Sequence, residues 1–251
     1  MKFIGIIPAR YASTRFPGKP LAKIGGIPMI ERVYNRVKEQ LDEVCVATDD
    51  ERIAQCVEGF GGRCIMTSDT HRSGTDRCYE AYTLSGSDAD VIINIQGDEP
   101  FIHPSQIAAL QDCFNREGTE IATLVRKFNP EAGFEALSNP NTPKVVLSDA
   151  GNALYFSRSI IPYIRGKEWT QWIDATTFYT HVGLYGYRAD VLARLVALPQ
   201  SSLELAESLE QLRWLQAGYS IATAVTNHPT IGIDTPDDLK KAEESLQKGE
   251  I

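Results

Sequence analysis

Apolar residues recur along this chain in two rhythms. Short continuous runs at 3–8, 44–48, 64–66, 91–95, 121–125 and 144–147, rich in Val and Ile, read as strands buried on both faces. Between them the spacing changes to that of helices. Met29, Ile30, Val33, Val37 and Leu41 alternate with Glu31, Arg32, Arg36 and Lys38, and Pro28 suits the first turn of the helix they predict. Asp49-Asp50 leads into a second helix with Ile53, Ala54, Val57 and Phe60 on its inner face, and Gly61-Gly62 ends it. Further helices are predicted over 75–84, after Pro104, and over 130–137. This alternation of strand and helix predicts an α/β fold, a Rossmann-like, mostly parallel sheet flanked by helices, with right-handed crossovers.

Beyond Gly151 the alternation weakens. Residues 153–156 and 181–187 read as strands of a mixed or antiparallel portion, separated by an aromatic loop from Tyr163 to Tyr179. Ser202 to Ala217 reads as one long amphipathic helix, 220–225 as a strand, and 235–247 as a closing helix initiated by Asp234-Thr235-Pro236. No repeat or linker divides the chain. The expectation is therefore a single domain over 1–251, with a smaller mixed α/β subdomain within it at approximately 150–220.

Charge narrows the range of partners. With 25 Lys and Arg against 33 Asp and Glu, the formal net charge is -8, which argues against a broad surface for nucleic acid or an anionic membrane. No apolar run approaches the ~20 residues needed to span a bilayer, and the opening stretch, stopped at Pro8, is too short for a signal peptide. Five cysteines, Cys45, Cys56, Cys64, Cys78 and Cys113, are odd in number and never spaced Cys-x-x-Cys. They read as free thiols in a reducing cytoplasm.

Against that acidic background, Arg10, Arg15 and Lys19 place three cations in ten residues just after the first strand, where ligands bind in open α/β sheets. Ser13, Thr14 and Gly18 add hydroxyls and room for close backbone approach. The set suits several phosphate oxygens, Arg offering a fork and Lys a point charge. It is not a Walker A loop, since Pro20 follows Gly18-Lys19, and no Gly-x-Gly-x-x-Gly follows the first strand. Asp98 follows the strand at 91–95 and Asp234 follows a second strand-like segment. Their carboxylates suit magnesium on a triphosphate, the alternatives being a turn at Asp98 and a helix cap at Asp234. Ser73, Arg77 and Gln96 are placed to read the edge of a base, whose identity the residues leave open. Arg158 and Arg165 put guanidinium forks into an apolar, aromatic segment and match a carboxylate, while His181, Tyr185, Glu210 and Gln211 offer donors and acceptors for a polyhydroxylated ligand.

The stretch Pro8-Ala9-Arg10-Tyr11-Ala12-Ser13-Thr14-Arg15-Phe16-Pro17-Gly18-Lys19-Pro20-Leu21 resembles the N-terminal signature of the 3-deoxy-manno-octulosonate cytidylyltransferases. The resemblance extends over nearly the whole chain, through Val46-Ala47-Thr48-Asp49, Ser73-Gly74-Thr75-Asp76-Arg77, Asn94-Ile95-Gln96-Gly97-Asp98-Glu99-Pro100, Leu154-Tyr155-Phe156-Ser157-Arg158, Leu209-Glu210-Gln211-Leu212-Arg213 and Asp234-Thr235-Pro236. It implies a fold of the nucleotide-diphospho-sugar transferase type. It also implies transfer of CMP from CTP to the anomeric hydroxyl of 3-deoxy-D-manno-octulosonate (Kdo), releasing pyrophosphate, for lipopolysaccharide biosynthesis.

By the same resemblance Asp98 and Asp234 hold Mg2+, Arg10, Ser13, Arg15, Lys19, Ser73, Arg77 and Gln96 bind the nucleotide, and the base is cytosine. Gln96, Arg158, Arg165, His181, Tyr185, Glu210 and Gln211 bind the sugar acid. Arg10, Arg15, Lys19 and Asp98 act in catalysis, Asp98 being the one candidate base. A homodimer is implied, through the segment around Leu184 to Tyr187. Two other readings stay open: a cytidylyltransferase for a sialic acid or an amino-substituted octulosonate, and a nucleotide-binding regulator, which would lack the metal carboxylates.

Overall fold

A computed structural model describes residues 1–13 and 15–249; Thr14, one of the hydroxyls expected in the basic loop, lies outside them. In chain order the elements are β1 Phe3–Ala9, β2 Lys23–Ile24, β3 Ile27–Pro28, α1 Met29–Val37, β4 Glu43–Thr48, α2 Glu51–Gly59, β5 Cys64–Met66, α3 Gly74–Ser85, β6 Val91–Asn94 and α4 Pro104–Cys113. There follow β7 Ile121–Lys127, α5 Gly133–Ser138, β8 Lys144–Leu147, β9 Ala153–Ser157, β10 Tyr179–Arg188, α6 Ala189–Val196, α7 Ser202–Glu207, α8 Gln211–Gln216, β11 Ile221–Val225 and α9 Pro236–Lys248. The expected α/β architecture is present.

Two compact units share these elements. The first comprises 1–107, 186–196 and 230–251. Its sheet runs β6-β1-β4-β5, with every neighbouring pair parallel, Ile6 aligned with Cys45 on one side and Asn94 on the other. Ile4, Ile6, Ile7, Val46, Ile92 and Ile93 are fully buried, which is why these strands read as unbroken apolar runs. Asp50 caps α2 by accepting the Arg52 amide, and Ser73 caps α3 by accepting the Asp76 amide. The closing helix α9 is held by a capping box, Thr235 with Asp238, and Ala242 packs with Ile24, Met29 and Ile233. That packing fixes the residues just before α9 within this unit.

The second unit comprises 108–185 and 197–229. Here β7 and β11 pair in parallel, while β8 pairs antiparallel with β9 and with the start of β10. The mixed portion expected near 150–220 thus belongs to a unit that begins at Ala108 and excludes 186–196. Three expectations are corrected here. The helix expected over 202–217 is broken: α7 ends at Glu207, Ser208 takes a left-handed conformation (φ 49°), and α8 starts at Gln211. The cause is Arg158, whose guanidinium takes the carbonyls of Glu207 (2.6 Å) and Ser208 (3.1 Å) that a continuous helix would use internally. The segment 154–163 is only partly buried: Phe156 and Ser157 lie inside, but Leu154 and Tyr163 are 60% and 72% exposed. Leu184, Tyr185 and Tyr187 are buried within the chain, so their side chains are not offered to a partner.

All five cysteines are free thiols, and Cys45, Cys78 and Cys113 are buried. Among the described residues no helix is long and apolar enough to cross a membrane.

The α7–α8 corner rests on one buried ion pair. Glu204, which also closes the capping box with Ser201, meets Arg213 through bonds of 2.5 and 2.8 Å. Burial pushes the Glu204 pKa up, but bonds from Arg213 and the Ser201 amide outweigh it and hold the carboxyl below its ordinary value. Glu204→Ala should cost about 3 kcal/mol at neutral pH, because it leaves Arg213 buried beside a lost partner. A lowered folded pKa stabilises above the unfolded value, so the gap between wild type and variant should be full above about pH 5 and narrow as acid is added. Urea unfolding across pH measures it; a gap independent of pH refutes the assignment.

Candidate active site

The basic loop is built to hold its cations in place. Gly18, in the left-handed region at φ +70°, donates its amide to the Tyr11 carbonyl at 2.9 Å, and a side chain there would meet the Tyr11 ring at 3.1 Å. The Arg52 guanidinium lies 3.3 Å from the centre of that ring and is itself held by Asp50 through bonds of 3.0 and 2.6 Å. Ser13 accepts the Phe16 amide at 3.2 Å. The loop is thereby closed on itself and braced from α2.

Lys19 is the point where distant segments meet. Its ammonium is 2.7 Å from Asp98 Oδ2 and 3.2 Å from Asp234 Oδ1, and Arg15 reaches both oxygens of Asp234 at 3.3 Å. Thr235, not Asp234, caps α9, so the Asp234 carboxylate is released from capping and turns to the two cations. Asp98 does lie in a turn, yet its side chain also faces Lys19, and its carbonyl accepts the Ile233 amide at 2.9 Å. Gly97, beside it, passes close to β1: an added Cβ would stand 3.1 Å from the Pro8 carbonyl oxygen. Glu99, which the sequence did not single out, is pushed up to about 7 by burial and then by the charge of Asp98.

Across β1 the residues expected to read a base come from the start of α3 and the end of β6. Ser73 spends one lone pair on capping α3. Arg77 is 3% exposed and already engaged, donating to Asp49 at 2.9 Å and to Thr67 at 2.7 Å. It therefore stiffens this wall more than it offers a free fork. All nine expected residues of this unit, Arg10, Ser13, Arg15, Lys19, Ser73, Arg77, Gln96, Asp98 and Asp234, line one cavity of about 450 Å³. His71 and Gly74 line it as well and were missed; a single histidine in a polar loop carries no periodic signal.

Two carboxylates converging on one ammonium are the hard donors a divalent cation takes, and they fit an ion such as magnesium that keeps several waters and phosphate oxygens. Among the described residues no cluster of three or more His, Cys, Asp or Glu suits a metal, so a closed, all-protein cage is not what this site provides.

The residues expected at the sugar acid lie in the second unit and divide by behaviour. Arg158 donates to the carbonyls of Glu207, Ser208 and Pro140 (2.8 Å), and its amide binds the Glu207 carboxylate at 2.9 Å. Arg165 is exposed and makes no ion pair or hydrogen bond with a described residue. His181 packs between the rings of Phe156 and Tyr185, its Nε2 is 3.0 Å from Thr123 Oγ1, and burial pushes its pKa down to about 3, so the ring is neutral. Glu210 lies 3.8 Å from Arg213. Gln211 is 4% exposed, and its Nε2 has no partner among the described residues.

A cytidylyltransferase family profile matches residues 4–221. A protein of Parabacteroides distasonis described as 3-deoxy-manno-octulosonate cytidylyltransferase is 65% identical over 243 residues, covering 96% of this chain and 97% of its own. The chain belongs to the 3-deoxy-manno-octulosonate cytidylyltransferase family. Another member, from Bacteroides thetaiotaomicron, is 60% identical over 98% of this chain and 99% of its own. Among solved structures, a CMP:2-keto-3-deoxy-manno-octonic acid synthetase complexed with CTP matches with a TM-score of 0.89 at 43% identity, covering 100% of both chains. The family's fold reaches further. A 4-diphosphocytidyl-2C-methyl-D-erythritol synthase from Anaerococcus prevotii shares it at a TM-score of 0.62 and 15% identity, covering 98% of this chain and 99% of its own.

The two arginines assigned to a sugar acid by resemblance to the family should separate on substitution. Arg158→Ala orphans three backbone carbonyls and should cost about 2–4 kcal/mol of stability, whereas Arg165→Ala, which breaks nothing, should stay within about 0.5 kcal/mol of wild type. Chemical denaturation of both variants measures the contrast, and equal stability for the two would remove Arg158 from its structural role.

Proposed function

We propose that the chain transfers the CMP part of CTP to the anomeric hydroxyl of Kdo, giving CMP-Kdo and pyrophosphate, a step that serves lipopolysaccharide biosynthesis. The observation that carries this reading is the cavity of the first unit. It joins a braced cationic loop to a pair of convergent carboxylates, in a chain whose full-length relatives are described as Kdo cytidylyltransferases.

In this reading the sugar's anomeric oxygen attacks the α-phosphorus of CTP in line with the departing pyrophosphate. The protein contributes position and charge rather than a covalent bond. Arg10, Arg15 and Lys19 bind the triphosphate and offset the charge that gathers on the leaving pyrophosphate. Asp98 and Asp234 are the residues that would hold Mg2+, which when bound supplies Lewis-acid polarisation of phosphate oxygens. Asp98, the one candidate base, has the Lys19 ammonium at 2.7 Å, so no side chain of the cavity is assigned as a general base.

Arg165, His181, Tyr185, Glu210 and Gln211, all of the second unit, would hold the sugar acid. Arg165 has no competing partner, and the buried Gln211 amide donor lacks an acceptor that a ligand oxygen would supply. Arg158 would act there by shaping the α7–α8 corner. A homodimer in the cytoplasm completes the reading, the five free thiols suiting a reducing compartment.

A pyrophosphate-release assay with CTP and magnesium tests the proposal. Release should require Kdo, and α-labelled CTP should leave no label on the protein. Asp98→Asn or Asp234→Asn should lower turnover about 10²- to 10³-fold with melting temperature little changed, and the double variant should lose far less than the product of the two. Near-normal turnover in either variant would end the carboxylate assignment, and release with another acidic sugar but not with Kdo would end the substrate assignment.

A further inference from the structure

Arg10 and Ala12 line the cavity, whereas Tyr11 between them is not part of its lining. The Tyr11 ring is engaged elsewhere. It abuts Gly18, where an added Cβ would stand 3.1 Å away, and the Arg52 guanidinium of α2 lies 3.3 Å from its centre. The Tyr11 carbonyl takes the Gly18 amide at 2.9 Å, which closes residues 11–18 into a loop. Arg10 precedes that loop, Arg15 lies within it and Lys19 follows it, so this one closure bears on the spacing of all three cations.

Arg52 is itself fixed from a helix end. Its Nε and Nη2 reach the two oxygens of Asp50 at 3.0 and 2.6 Å, and Asp50 caps α2 by accepting the Arg52 amide at 2.9 Å. A fork seated on both oxygens leaves the guanidinium plane little freedom. The pair is electrically neutral, so what it delivers to the loop is place rather than charge. Three like charges gathered for a polyphosphate repel one another before it arrives, and order lost in the empty loop must be restored when the ligand binds. A brace that never touches the nucleotide therefore acts on its affinity.

We propose that Arg52 is a positioning residue for the polyphosphate of the nucleotide: seated on Asp50, it holds the Tyr11 ring against Gly18 and so keeps Arg10, Arg15 and Lys19 gathered for the β- and γ-phosphates. CMP lacks those two phosphates and does not draw on the brace. This rests on the assignment of the cavity to CTP and adds a residue of α2, not part of the cavity lining, to those that decide how firmly the triphosphate is held.

The test is equilibrium binding of CTP and of CMP, with magnesium, to wild type, Arg52→Met, Arg52→Lys, Tyr11→Phe, Tyr11→Leu and the double variant Arg52→Met/Tyr11→Leu, with melting temperatures measured alongside. Losing an exposed cation over a ring should weaken CTP about 2- to 5-fold in Arg52→Met, with CMP unmoved, so the CTP/CMP margin shrinks. Lys keeps the cation without the fork and should recover part of the margin. Tyr11→Phe keeps the ring and should bind CTP as wild type does. Tyr11→Leu removes no charge, yet should weaken CTP at least as much as Arg52→Met, and the double variant should be no weaker than Tyr11→Leu alone. A merely structural role would weaken CTP and CMP alike and leave their ratio unmoved, which overturns the proposal, as would independent, additive losses from the two sites. Arg52 is exposed at the surface, so its two variants carry the test even if Tyr11→Leu does not fold. If wild type itself binds CTP no better than CMP, the cavity assignment falls; if wild type shows the margin and Arg52→Met keeps all of it, this inference alone falls.

Discussion

Two carboxylates drawn to one point repel each other unless a cation stands between them. In this protein the cation is Lys19, held by Asp98 and Asp234 at 2.7 and 3.2 Å, and much of the first unit is arranged so that the three can meet. The lysine comes from the loop after β1, one aspartate from the turn after β6, and the other from the residues before α9. Separations of 79 and 215 residues along the chain are closed by this contact. The pair energies are modest, because all three side chains keep some water. The constraint is geometric instead. α9 must dock through Ala242, and the Ile233 amide must reach the Asp98 carbonyl, before Asp234 can face Lys19.

The same economy of charge governs the cationic loop. In a chain of net charge -8, three cations gathered in ten residues repel one another and need a scaffold that keeps them gathered. Tyr11 is that scaffold: its carbonyl receives the Gly18 amide while its ring lies under Arg52, itself neutralised by Asp50. Gly18 is required twice, for its positive φ and for the closeness of the ring. Arg77, equally cationic and lining the same cavity, is paired with Asp49 and so is tied into its wall.

Much of this was legible in the sequence where the signal is local. The parallel strands of the first unit announced themselves because strands buried on both faces leave no polar positions, and the loop cations because they interrupt an acidic chain directly after such a strand. Asp98 and Asp234 were separately plausible, but nothing local says that residues so far apart converge; the family's motifs supplied that. The α7–α8 break was illegible for a related reason. Leu209, Leu212 and Trp214 stay buried across it, so the apolar rhythm continues while the backbone does not. Its cause, Arg158, lies about fifty residues away along the chain. His71 gave no signal at all, since only the cavity it lines singles it out.

Arg158 also shows why a guanidinium in an apolar stretch is an uncertain sign of a ligand. A fork of N–H donors matches a substrate carboxylate, and it matches backbone carbonyls at a helix end just as well, because those oxygens carry the negative end of the peptide dipoles and lack internal partners. Where the chain itself provides three such carbonyls, an arginine can be saturated before any substrate arrives. The segment around it is only partly buried, with Phe156 and Ser157 inside and Leu154 and Tyr163 exposed, so the argument from burial to a needed counter-charge loses force. What separates Arg158 from Arg165 is therefore the list of acceptors already in reach. By that measure Arg158 maintains the corner that carries Gln211, and Arg165 is the fork still open to an acid.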